Sequence, residues 1–518
     1  MTTAHLWTGG RVFTGRRYAE ALLVEDGRVV AVGPRETVVR QAPTHTDRTD
    51  LAGALVIPGL VDAHLHLTEI VRHRIGLDVS GVTSEAELVV ALSGWAAEHP
   101  AGPIAGNGWN PEGWRERKWA DREVVDRAVA DRPVVLQHAS GHAALLNSAA
   151  LEAVGIDPTR PAPSDPTVGH RPDGRPNGLL FEEALRPVGP LVDSALVVDA
   201  PHLARTAEEL ARLGLTTVAS MGAPPTEISA LRDLTEADRL PIHVRLYLRG
   251  ARRGSARPGP LGGPNSPCSL VGIKEFMDGA FGTRTAWISA PYEDSPGTTG
   301  VPVGDDPELA ALLDEATREG WAPALHAIGD RAVARAVRLL GPVSGRTSAP
   351  SRIEHAGLTP PPLLAELAAL RPTLVVQPGF VASDHWLGAR LGSARARWAY
   401  AFRTLISRGL PLAGSSDAPF DPVDPWRGMR AAVSRTNDEG GSANPSGAEA
   451  LPPEEALYLY TAGAARALGE PQRGQLEPGD HADLVVLSVP DLASAVSVGS
   501  PAVRETWVDG RRVTSTGG

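Results

Sequence analysis

The chain has 518 residues, 42% hydrophobic and 21% charged, with a formal net charge of -11 and a single cysteine. This is the balance of a folded globular protein too long for one compact core. Its acidity argues against nucleic acid as a partner, and the lone Cys268 excludes an intrachain disulfide and a cysteine-based zinc cluster.

The N-terminus "MTTAHLWTGGRVFTG" has neither the basic nor the apolar region of a signal peptide, and no segment reaches the roughly 18 apolar residues of a membrane span. The expectation is a cytoplasmic protein without a membrane partner. The first 55 residues read as short strands with turns, including a hairpin at Asp26-Gly27. The far end repeats the pattern, with a second hairpin at Asp509-Gly510. Since chain ends often lie close together, residues 1–56 and 472–518 are expected to build one split β-sandwich domain.

Between them, short apolar strands alternate with helical patterns. Strands are expected at 56–66, 215–221, 242–248, 271–278, 321–329, 351–357, 373–378 and 410–417. Helices follow them, one with Asp306 as its N-cap, one with Asp330, and one opened by the prolines of "PPPLLAELAAL". Eight such units over 57–471 specify an α/β fold, a TIM (β/α)8 barrel whose functional side chains gather at the C-terminal strand ends. About 135 residues separate the first two strands, too many for a loop, so residues of about 70–205 are expected to form an inserted cap subdomain.

The first strand ends in "VDAHLH". Side chains two apart share a strand face, so His64 and His66 point the same way and can pinch a metal ion. Lys274 interrupts the apolar strand "VGIKEF", His326 ends "APALH", His355 ends "RIEH" and Asp417 ends "LPLAGSSD". Each alone could be a helix cap or a hydrogen-bonded core residue. Together, imidazoles and a carboxylate are the usual nitrogen and oxygen ligands of Zn²⁺ and similar divalent ions, and a lysine among them must be neutralised or modified.

The segments "PGLVDAHLH", "GIKEFMDGAFGTRTA", "LHAIGDRAV", "RIEHA", "VVQP" and "GSSDAP", in this order, resemble the amidohydrolase superfamily, in particular the family-3 branch that includes N-substituted formamide deformylases. The resemblance covers nearly the whole chain. It implies a two-metal site bridged by carboxylated Lys274, with His64, His66 and Asp417 on one ion and His326 and His355 on the other. Where members of the family bind one metal, the lysine need not be carboxylated. Asp417 would act as general base and return the proton to the leaving amine, in hydrolysis of a C–N bond of a small amide, N-formyl amine or cyclic amide. A mononuclear hydrolytic deaminase and a non-catalytic regulatory barrel are the competing readings.

Four further residues are candidates for substrate contact. Asp278 and Arg284 follow Lys274 into its loop, where Arg284 could clamp an anionic group or pair with Asp278. His142 could reach substrate, or sit in a structural turn capped by Asn147. Trp109, interleaved with charge beside Trp114 and Trp119, could line a pocket or pack. A homodimer is the commonest state for a soluble enzyme.

Overall fold

A computed structural model describes residues 4–515 other than 112–113, 115–117, 164, 251–253, 255, 264–265 and 438–446. Both chain ends contribute to a six-stranded sheet, in the order Arg511–Ser515, Val503–Val508, Leu484–Leu487, Leu55–Pro58, Arg11–Phe13, Tyr18–Ala19. Four N-terminal strands, Arg28–Gly33, Ala21–Glu25, Ala4–Thr8 and Thr46–Asp50, form a second sheet in that order. Asp26 and Gly27 (φ 48° and 77°) and Asp509 and Gly510 (φ 46° and 73°) occupy the left-handed region that two-residue hairpin turns require. Trp7, Leu22, Val56, Leu484 and Trp507, drawn from both sheets, share one buried cluster.

Eight parallel strands follow in chain order around a nearly closed barrel. They are β1 (Leu60–Leu65), β2 (Leu215–Met221), β3 (His243–Arg249), β4 (Cys268–Phe276), β5 (Ala322–Ala327), β6 (Arg352–His355), β7 (Thr373–Val376) and β8 (Leu412–Gly414). The seam between β8 and β1 is closed just past β8, where Asp417 N donates to His64 O and His66 N to Ala418 O, each at 2.8 Å. Asp62 reinforces it by accepting from Ser416 N at 3.1 Å.

The apolar run expected as one strand at 56–66 is two. Leu55–Pro58 belongs to the six-stranded sheet and β1 to the barrel, with Gly59 between them. A side chain at Gly59 would collide with Thr216 and Asp483, so only glycine permits the crossing. The last strand is also shorter than expected: Asp417 lies beyond β8, at φ 61°.

Two helix starts differ by one residue from the sequence reading. Asp305, not Asp306, caps Asp306–Arg318 by accepting from Glu308 N. Asp330 is the first residue of Asp330–Leu340 and accepts from Ser289 N, outside the helix. Asn147 does cap Ser148–Ala153, by accepting from Ala150 N at 2.9 Å.

Thr68–Asp199 with Gly282–Thr285 forms a separate compact unit. Its six-stranded sheet runs Val168–His170, Pro176–Phe181, Ala143–Leu146, Val134–His138, Ile104–Trp109, Leu77–Asp78. Leu88, Leu92, Trp109, Trp114, Val125, Leu136 and Leu145 build its core.

Candidate metal and catalytic centre

The barrel strands bring five of the six proposed ligand residues into one chain of short contacts. His64 and His66 leave β1 on one face, and the Nε2 atom of each lies 3.2 Å from the same oxygen, Asp417 Oδ1. Lys274 Nζ is 3.4 Å from His64 Nε2. Single ligand atoms of His64, His355 and Asp417 all fall within 4.8 Å of one another. His326 joins through its ring, whose centroid is 4.5 Å from that of His355.

The far sides of the rings decide which electron pairs face inward. His64 Nδ1 donates to Glu354 Oε2 (2.6 Å) and His66 Nδ1 to the Met221 carbonyl (2.9 Å). His355 Nδ1 donates to Gln377 Oε1 (2.8 Å), and Gln377 Nε2 in turn donates to Ser415 Oγ (2.9 Å). Each neutral ring therefore keeps its proton on Nδ1 and presents the lone pair of Nε2. His326 is turned the other way: Nε2 donates to Gly279 O at 3.1 Å, which leaves the Nδ1 lone pair. Around Asp417 Oδ1, two nitrogen lone pairs and a carboxylate oxygen thus converge, an arrangement that a cation between them stabilises. The donor set fits a divalent metal ion on these grounds.

Burial sharpens the electrostatics. His64 and Glu354 are 0% exposed and Lys274 1%. Burial lowers the Lys274 ammonium to about 8, against the opposing pull of Glu354 and Asp417, so a neutral amine is within reach near neutral pH. Burial likewise lowers His355 to about 3 and favours its neutral, ligating form. Burial alone would raise Asp417, whereas His64 and His66, when protonated toward it, hold it well below the usual carboxylate range. Glu354 is treated the same way by Arg352, which grips it through Nε and Nη2 at 2.8 Å each. His355 (φ 72°) and Asp417 (φ 61°) both adopt left-handed backbone, costing about 1–3 kcal/mol each, a strain that collects where side chains must be aimed.

The second-tier candidates are placed differently. Asp278 is completely buried and accepts from the backbone N–H groups of Trp287, Ile328 and Gly329, so its carboxylate fastens the loops after β4 and β5. Arg284 belongs to the short segment Gly282–Thr285 that groups with the inserted unit. His142 Nδ1 donates to Glu182 Oε2 at 2.9 Å. Trp109 is 0% exposed and packs against Trp119 and His138 at centroid distances of 5.2 and 5.8 Å, within the core of the inserted unit. Cys268 is buried as expected of a small apolar residue, its thiol pushed up to about 12 by burial. The inserted unit has a cavity of about 170 Å³, lined in part by Glu69, Arg72, His73, Asn107 and Gln137 and by none of the proposed ligands.

The sequence reading missed the groups behind the histidines: Asp62, Arg352, Glu354 and Gln377. A signal was present for two of them. Arg352 and Glu354 are two apart in a four-residue strand, on either side of Ile353, so they share a face that can be charged inside a barrel only if both are paired.

Residues 48–514 match the profile of the family described as "Amidohydrolase family", and residues 21–44 match an imidazolonepropionase-like composite domain of bacteria. A putative amidohydrolase, YtcJ of Bacillus subtilis, is 34% identical over 93% of this chain and 94% of its own length. An N-substituted formamide deformylase of Arthrobacter pascens is 25% identical over 95% of this chain and 94% of its own. Among solved structures, an uncharacterized metal-dependent hydrolase from Pyrococcus horikoshii superposes with a TM-score of 0.77 at 28% identity, covering 96% of this chain and 99% of that one.

Proposed function

Since the chain belongs to the amidohydrolase family, we propose that it is a metal-dependent hydrolase of a carbon–nitrogen bond other than a peptide bond, in a small amide, N-formyl amine or cyclic amide. The observation that carries this reading is the convergence of the His64 and His66 Nε2 lone pairs on Asp417 Oδ1, with both rings locked from behind. The similarity to a formamide deformylase supports the choice of bond.

His64, His66 and Asp417 would hold one ion, His326 and His355 a second, and Lys274, carboxylated by CO₂, would bridge them. The amine's lowered pKa supports that modification. When bound, a divalent cation, zinc in the first instance, makes water easier to deprotonate and polarises the amide carbonyl. Asp417 supplies the proton handling: its carboxylate takes the proton of the attacking water as the C–O bond forms and delivers it to the departing nitrogen as the C–N bond breaks. Asp278 keeps the loops after β4 and β5 in place above the strands.

One observation favours a mononuclear deaminase as second reading: the group of three whose atoms lie within 4.8 Å comprises His64, His355 and Asp417, without His326. The presence of all six ligand residues weighs against a non-catalytic barrel. The exchange of strands between the chain ends supports a composite β-sandwich domain of residues 1–56 and 472–518 attached to the hydrolase barrel, and the separate Thr68–Asp199 unit supports a cap subdomain.

The test is a screen of zinc-loaded protein against N-formyl amines, N-acyl amino acids and cyclic ureas, with metal counted per chain. Chelator-sensitive release of an amine is expected. About two metals per chain supports the bridged site and about one the mononuclear site, and an absence of turnover across the panel refutes the hydrolase reading.

A further inference from the structure

Three of the chain's seven phenylalanines lie against the proposed ligand histidines, one ring to each. Phe276, the last residue of β4, is paired with His326 across the β4–β5 ladder and stacks on it at 4.9 Å between centroids. It lies two residues after Lys274 and so on the same strand face, with Lys274 Nζ 4.9 Å from its ring centroid. Phe380, the first residue of the short helix Phe380–Ser383 after β7, lies parallel to His355 at 6.4 Å. Phe420, in the loop after β8, meets His66 edge-on at 5.3 Å. All three therefore stand at the C-terminal strand ends, where a barrel receives its ligand.

The histidines beneath are mostly sealed, but each phenylalanine is only partly buried. Packing alone would favour full burial of so large an apolar side chain. Arg249, the cation over the Phe276 ring at 4.6 Å, is matched by Glu275 at 3.5 Å.

We propose that Phe276, Phe380 and Phe420 form an apolar collar that selects amides with a bulky, uncharged apolar substituent. The proposal rests on the amide-hydrolase reading for its substrate class but not for its binding test. A charged substituent would lose its hydration against the three rings, whereas an apolar one gains several-fold in affinity for each methylene it buries.

The first measurement is calorimetric binding of cyclohexylurea and methylurea to the protein as isolated, with recovery of the intact ureas checked afterwards. Cyclohexylurea is expected to bind at least fivefold more tightly, and a smaller preference, or no binding of either, overturns the collar. The second compares kcat/KM of the zinc-loaded enzyme for N-cyclohexylformamide, N-methylformamide and N-formylglycine, the first two releasing amines of similar basicity. The cyclohexyl compound is expected to lead by tenfold or more. Phe380→Ala and Phe420→Ala are each expected to cut that lead at least threefold through KM, with Phe380→Leu as a volume-keeping substitute if an alanine variant fails to fold. Equal use of N-formylglycine overturns the collar. Discrimination between the ureas with no turnover of any formamide would instead sink the hydrolase reading and leave the collar standing.

Discussion

Replacing Glu354 by glutamine tests whether the metal site is built from behind. In the folded protein one carboxylate serves two charged or polar donors, His64 Nδ1 at 2.6 Å and Arg352 at 2.8 Å twice, with no exposure to water. An amide has one oxygen in place of two, and its NH₂ must then face either the His64 N–H or the Arg352 fork, donor against donor. If the oxygen stays with Arg352, His64 loses the partner that fixes its tautomer, and loss of such a partner typically costs about 10- to 100-fold in metal affinity, or about 1.4–2.7 kcal/mol. In either orientation the buried guanidinium loses its counter-charge, a change costing about 3–5 kcal/mol of stability, and an oxygen in the Oε2 place still serves both His64 and Arg352 Nη2. Zinc affinity by chelator competition, read beside the unfolding free energy, separates the two. Adding Arg352→Met should recover much of the stability but none of the zinc affinity, because the metal effect runs through His64 alone. A Glu354→Gln protein with unchanged zinc affinity and unchanged stability would refute the reasoning.

Asp417→Asn is expected to fold, since the backbone bond from residue 417 to His64 O survives, while kcat falls by a factor of about 10² to 10⁴; a near-normal rate would remove Asp417 from proton transfer. Trp109→Ala empties the centre of the inserted unit's core and should cost that unit about 3–5 kcal/mol in urea titration, against a loss below about 1 kcal/mol if the ring were dispensable. Burial pushes the Cys268 thiol up to about 12, so at pH 8 only about 10⁻⁴ of it is thiolate. A disulfide reagent should therefore leave the native protein unlabelled and modify one thiol per chain after denaturation; rapid labelling of native protein would contradict the burial.

Much of the barrel and its polar strand ends was legible because a strand has a period of two. His64 and His66 had to share a face, and Lys274 had to be an intruder in an apolar run. The one-residue errors at the helix starts have two causes: Asp305 and Asp306 offer the same capping chemistry, and the helix that opens at Asp330 has Gly329 before it and no side-chain cap. Hydrophobicity could not show the break at Gly59, because both flanking strands are apolar and buried. The buried Arg352–Glu354 pair was harder still: its value depends on a histidine 290 positions away, which only the closed barrel brings to it. For Trp109 the sequence left pocket wall and packing both open, because an aromatic among charges serves either, and the structure puts it in a core.

The junction at Gly59 ties the two ends of the gene to the centre. Leu55–Pro58 is flanked by Arg11–Phe13 on one side and by Leu484–Leu487 on the other, and five residues beyond Gly59 the same backbone delivers His64. A premature stop codon ahead of residue 484 would strip one neighbour from that ribbon and slacken the anchorage of the first imidazole. Damage at the extreme carboxyl end should thus register as weaker metal binding at the proposed centre, far along the sequence from His64.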